Sequence, residues 1–250
     1  MKKNMLIAMA MLIAIAFTAC KKSTDAPEEH PILRTEQAQK VYSYIIGLGF
    51  SPQNIIEDSD EFIVEEDIIF PKDMKVPNGK VTTEQYYNGS PVSADKVTNL
   101  RLKIDASMTS MRPEINSAID QWNNISGCTI HWTVVSGSSY DVLITTYNPG
   151  KVCGSAVYPS GGLPGNRIHI NKNFIAGNSF AQRARTICHE MGHIVSFKHT
   201  NWSAVGESAG IPVPGVGGTD PSSIMNGGQC GHGATVLSAK DKKAAVALYN

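Results

Sequence analysis

The chain has 250 residues, 42% of them hydrophobic, which is enough to bury the core of one medium domain and a small second one. Its 22 basic side chains balance 22 acidic ones, so no excess of positive charge is present to drive electrostatic nucleic-acid binding, and that class is excluded.

The first residues read as an export leader. Lys2 and Lys3 give a basic start, and Met5 to Phe17 is an apolar run of 13 residues, short of the roughly 20 a membrane-spanning helix needs. Phe17-Thr18-Ala19-Cys20 resembles a bacterial lipobox. That resemblance implies cleavage before Cys20 and lipid on its thiol, and hence a protein held at the bacterial cell envelope, facing the periplasm or the cell surface, or secreted. Removing residues 1–19 takes away two lysines and leaves the mature chain slightly acidic. If Cys20 carries lipid, Cys128, Cys153, Cys188 and Cys230 remain, enough for two disulfides in any of three pairings or for four buried thiols.

Residues 20–31 are polar and proline-punctuated, as a solvated tether requires. A helix is expected from Thr35, which can cap it, with Val41, Ile45 and Leu48 at helical spacing and Gly47 and Gly49 as stops. Glu61–Val64 and Asp67–Phe70 read as two short strands. These elements make a small N-terminal α/β unit over residues 32–75, which can act as a pro-segment that places Glu65, Glu66 or Asp67 near a metal, or serve as a plain spacer.

A polar linker over residues 76–94 leads to the main domain, residues 95–250. Leu100, Leu102 and Ile104 alternate with charged residues as a half-buried strand. Pro113 suits a first helical turn, and Ile115, Ala118, Ile119 and Trp122 form an apolar stripe. Residues 129–135, 141–146, 154–159 and 167–171 read as strands, with a turn over 161–166. Ser179 to Gln182 has the capping-box pattern, which predicts a helix from about Phe180 to Val195. This order favours a mixed α/β (α+β) sheet.

The chemistry lies in that helix. His189-Glu190-Met191-Gly192-His193 puts two imidazoles one turn apart on one face, with Glu190 beside them. His199 would lie about 240° away on a continuous helix, so the helix must break near Ser196 for it to join them. Three neutral imidazoles with an open fourth position form the catalytic zinc pattern, and a carboxylate at Glu190 can take a proton from water there.

At these residues the chain resembles the metzincin clan of zinc peptidases, and its His-Glu-x-Gly-His form resembles the bacterial dual-action HEIGH metallopeptidases. Ser223-Ile224-Met225-Asn226 resembles the clan's Met-turn, with Met225 as a hydrophobic base beneath the imidazoles, and Leu237 to Asp241 resembles the start of its last helix. The resemblance implies a metzincin-like domain with a mixed twisted sheet, an active-site helix, a Met-turn and a C-terminal helix. It also implies one catalytic Zn2+, an internal peptide bond as target, and a monomer acting on a peptide or protein substrate. Gly154, Ser155, Ala156 and Val157 are then the edge strand that pairs with extended substrate. The chain departs from the clan at Ser196, where Gly is usual, and at Gly227, where some members carry a Tyr. Two rival readings are a surface binding lipoprotein on a degenerate peptidase fold and a zinc-stabilised structural domain. His30, His131, His169 and His232 lack ligand spacing and read as surface or hydrogen-bonded residues.

Overall fold

Thr35 caps helix α1 (Glu36–Gly47), its hydroxyl accepting from the Ala38 amide at 3.2 Å. The computed structural model describes residues 34–47, 50, 52–64, 67–76, 86–147, 150–205, 210–216 and 218–250; the leader, Cys20, the tether, Leu48, Gly49, Glu65 and Glu66 lie outside them. Ala38, Val41 and Ile45 share one face of α1 and are buried against Phe50, Phe62, Val64, Ile68, Phe70 and Tyr158. Three strands carry that layer: β1 (Ile55–Glu57), β2 (Glu61–Val64) and β3 (Ile68–Pro71), an antiparallel meander.

The rest of the chain adds β4 (Tyr86–Tyr87), the short helix α2 (Ala94–Val97), β5 (Leu100–Ile104), and α3 (Arg112–Asn123) behind a 3-10 turn. Then come β6 (Trp132–Val135), β7 (Val142–Thr146), β8 (Gly154–Val157), β9 (Arg167–Ile170), α4 (Phe180–Ile194), β10 (Ile211–Pro212) and α5 (Ala239–Leu248). One mixed sheet runs in the order β1-β2-β3-β8-β9-β7-β5-β6, and β4 pairs with β10 in a second, two-stranded sheet. Strands β6, β5, β7 and β9 run parallel to one another, while β8 is antiparallel to β9. The expected mixed α/β fold is present, and residues 34–250 pack as one compact unit in which β3 lies parallel to β8.

The main core lies between this sheet and helices α3 and α4. Ile115, Ala118, Ile119 and Trp122 of α3 pack with Ile187, Cys188 and Met191 of α4 against Leu100, Leu102, Val142, Ile144 and Ile168. The Trp122 indole donates to the Cys188 carbonyl at 3.1 Å, pinning the middle of α4 to α3. Tyr249, just after α5, donates to the Val195 carbonyl at 2.8 Å and so fixes the exit of α4.

Several expectations are corrected in detail. The strand expected from Thr129 begins at Trp132, because the Thr129 amide is taken by the Tyr249 carbonyl outside the sheet. At α4, Ser179 accepts from the Gln182 amide, but Gln182 donates its side chain to the Gly233 carbonyl, so only half of the capping box forms. The complete box is at α5, between Ser238 and Asp241. Among the described residues a single disulfide joins Cys153 to Cys230, with Cα atoms 6.0 Å apart; Cys128 and the buried Cys188 are free thiols, so a bridge between these two is not made.

Candidate metal centre and active site

Helix α4 is buried from Ala184 to Ile194, and its periodicity brings His189 and His193 to one face. The chain then turns back at Ser196, which has φ of 86°, the left-handed conformation expected for this break. Burial of Ser196 and two bonds to Asn88 hold it there: the Asn88 amide donates to the Ser196 carbonyl at 2.9 Å, and the Ser196 hydroxyl donates to Asn88 Oδ1 at 2.6 Å. The turn delivers His199. Its Nε2 lies 3.0 Å from that of His189, which lies 3.1 Å from that of His193.

These distances suit a shared cation. His189 Nδ1 faces the Ile224 carbonyl at 2.8 Å and His193 Nδ1 faces the Phe197 carbonyl at 2.7 Å. A carbonyl only accepts, so each Nδ1 carries the proton and each Nε2 presents a bare lone pair. Burial holds His189 at a pKa of about 3, which keeps its ring neutral. Lone pairs converging at such distances repel unless an ion lies among them, so the donor set fits a bound metal.

Met225 packs against α4 at Gly192, between His189 and His193. A Cβ on Gly192 would run into Met225 Sδ and sit 2.9 Å from its Cε, so the glycine in His-Glu-Met-Gly-His is required for α4 to lie on the Met-turn. The turn is fixed from α5, since buried Asp241 accepts from the Ser223 hydroxyl and from the Ile224 amide. Gly227, where a Tyr was absent from the expected pattern, has its own reason: a Cβ there would lie 2.6 Å from His199 Nδ1.

A fourth ligand atom comes from the N-terminal strands. Asp67 Oδ2 lies 2.7 Å from His199 Nε2, 3.5 Å from that of His189 and 3.7 Å from that of His193, and the four residues form one group that could hold a metal ion. Burial opposes ionisation of Asp67, but the charge of His199 beside it outweighs this and holds the carboxyl well below its usual range. Glu190 goes the other way: burial first, and the Asp67 charge second, raise its carboxyl well above the usual range. Glu190 is 2% exposed, its Oε2 has no hydrogen-bond partner, and a Cβ on Gly154 would lie 2.7 Å from its Oε1.

Gly154, Ser155, Ala156 and Val157 do form a strand beside the site, but it is not a free edge: Ile68 and Ile69 of β3 pair with Ala156 and Val157. His169 also differs from its sequence reading, being 8% exposed with no partner for Nδ1. Arg185 was not singled out from sequence. It precedes His189 by four residues and His193 by eight, so the same helical period that aligns the imidazoles puts it on their face, where it lines a cavity next to Glu190.

Two imidazoles one turn apart on a buried helix and a third returned by a left-handed turn form a group that could hold a metal ion, with a buried carboxylate beside it. A family model of the dual-action HEIGH metallo-peptidases matches residues 63–239, and the chain belongs to that family. Its substrates are accordingly peptides or proteins. Among solved structures, a crystal structure of myroilysin is 16% identical over 68% of this chain and 91% of its own, with a TM-score of 0.45. A second myroilysin structure is 14% identical over 66% and 97%, with a TM-score of 0.47. High choriolytic enzyme 1, a hatching enzyme zinc-protease from the medaka fish Oryzias latipes, is 16% identical over 64% and 94%, with a TM-score of 0.44. No curated protein sequence matches the chain.

Proposed function

We propose that the protein is a zinc endopeptidase, made as a lipid-anchored envelope protein and held latent by its own N-terminal strands. The observation that carries the reading is the convergence of three imidazole Nε2 atoms beside a buried carboxylate, Glu190, with an oxygen that has no partner. Zinc held by His189, His193 and His199 would polarise the scissile carbonyl and acidify water. Glu190 accepts the proton of the attacking water, which its raised proton affinity suits, and passes it to the leaving amine. Met225 and Gly192 keep α4 and the Met-turn in register beneath the imidazoles. The strand Gly154–Val157 aligns extended substrate by backbone pairing, once β3 has left it.

The decisive experiment is Glu190→Gln in the full-length Asp67→Ala chain, where the coordination position is open. The amide keeps the shape but cannot accept the proton, so zinc content and melting temperature stay while chelator-sensitive peptide hydrolysis falls by at least about 100-fold. Unchanged hydrolysis with zinc bound would remove Glu190 as the base.

A second reading has one observation in its favour: with Asp67 counted, the group has four ligands, as closed structural zinc sites do. A structural site has no use for a buried, unpartnered carboxylate, and it predicts no hydrolysis in any variant.

Anchoring rests on the short apolar run and on Cys20. Cys20→Ser is expected to release or misprocess the protein, and a soluble wild-type protein with another N-terminus would reject the anchor.

A further inference from the structure

Beside Glu190 lies a cavity of about 80 Å³ whose lining includes Gly154, Arg185, Thr186, Gly227 and Gln229. Arg185 is 4% exposed. Its Nη2 donates to the Asn226 carbonyl at 2.7 Å, to the Ile224 carbonyl at 3.3 Å and to Gln229 Oε1 at 3.4 Å, all neutral acceptors. Its Nε has no hydrogen-bond partner, and among the described residues no carboxylate lies within ion-pair distance of it. A buried guanidinium whose hydrogen bonds all go to neutral groups has no direct counter-ion, and burial lowers its pKa against the more distant charges of Glu190 and Asp67. Of the two carboxylates at this cavity, Asp67 directs its Oδ2 to the imidazoles and leaves Oδ1 without a partner, and Glu190 is assigned to the reaction. Lys151, also in the lining, adds a second positive group.

We propose that this cavity is a subsite for an acidic side chain next to the cleaved bond, and that Arg185 is the residue that sets this preference. The assignment rests on the peptidase reading above. The cavity is several times the roughly 10–15 Å³ that a single water needs, so a carboxyl group fits in it. The fork of a guanidinium suits a carboxylate in geometry as well as charge, whereas a neutral amide would leave the charge uncompensated. Arg185 also braces the Met-turn through the Ile224 and Asn226 carbonyls, so loss of activity alone would not test its role.

The test compares matched peptides carrying Asp or Asn on either side of the scissile bond, digested by the full-length Asp67→Ala chain loaded with zinc. The Asp peptide is expected to have a kcat/KM at least about ten-fold higher. Arg185→Gln should bring that ratio to near one with zinc retained, and Arg185→Lys should keep part of it. In parallel, N-acetyl-aspartate amide and N-acetyl-asparagine amide are added to the unmodified full chain, and only the aspartate probe should raise its melting temperature. This arm does not depend on the variants folding or on turnover. Equal effects of the two probes, a ratio near one in the parent, or an Asp preference that survives Arg185→Gln would overturn the assignment. If no peptide is cleaved while the aspartate probe alone still binds, the subsite stands and the peptidase reading falls.

Discussion

Asp67 Oδ2 lies 2.7 Å from His199 Nε2, so a residue from the N-terminal strands stands where a fourth zinc ligand would be. Its position is set by strand register: β3 begins at the next residue, Ile68 pairs with Ala156, and the Ala156 amide donates to the Asp67 carbonyl at 2.6 Å. The same pairing covers the strand expected to take substrate, so in the latent state proposed above one hairpin would block both the metal and the cleft edge.

Removing the carboxylate should therefore raise activity. In full-length Asp67→Ala the three imidazoles remain, so zinc should stay bound while peptide hydrolysis rises at least about ten-fold as the open coordination position is restored. Turnover and zinc content on the same preparation check this. Equal turnover of the two proteins would show that Asp67 is not the block.

The parts of this arrangement visible in the sequence are those that follow a regular period. Helix α4, its two imidazoles and the stripe of α3 repeat at 3.6 residues, and the mismatch of His199 with that period required the turn found at Ser196. Asp67 was within reach because three adjacent carboxylates precede an apolar strand. What the sequence could not give was the partner of β3: Ile-Ile-Phe is a buried strand in any sheet, and nothing local says that its neighbour is β8, more than eighty residues away. The two-residue strands β4 and β10 are too short for any period. Arg185 was legible in principle, lying on the imidazole face, but a basic residue on a helix is usually solvated, and only the packing shows this one buried.

Gly192 gives a stability prediction. An alanine methyl would meet Met225 Sδ and Cε, and Trp122 Cζ2 at 3.3 Å, inside a packed core with little room to yield. Gly192→Ala should gain slightly in helix propensity, but overpacking costs about 1–3 kcal/mol, and the net effect is a loss. A lower denaturation midpoint together with weaker zinc affinity is expected. Unchanged values for both would mean the Met-turn is free to move away.

Ser196 sets two terms of similar size against each other. Its left-handed backbone costs roughly 1–2 kcal/mol for a residue with a Cβ, while its hydroxyl bond to Asn88 returns about 1 kcal/mol. Ser196→Gly relieves the first and loses the second, so its stability should lie within about 1 kcal/mol of the parent. Ser196→Ala keeps the strain and loses the bond, and should be less stable than either. Denaturant midpoints of the three proteins check the order, and an alanine variant as stable as the glycine one would dismiss the strain.

His169 provides a pH prediction. It sits in β9 with its ring 4.9 Å from that of Tyr147, and the groups around it are Arg167, which pairs with Glu61, and Tyr147, which donates to Asp58. Burial, helped by the charge of Arg167, pushes its pKa down to about 4 from 6.5. The unfolded chain then takes up the proton first as pH falls, so stability is full above about 6.5 and drains away as pH approaches 4, by roughly 3 kcal/mol at most. Carboxylates elsewhere in the protein also titrate in this range, so the measurement is a difference. Melting temperatures of wild type and His169→Gln are followed from pH 7.5 to pH 4, and the glutamine variant, which has no proton to gain, should lose less. Parallel curves would mean that His169 is protonated in the fold as readily as in the unfolded chain, and that its burial among Tyr147 and Arg167 does not set its charge.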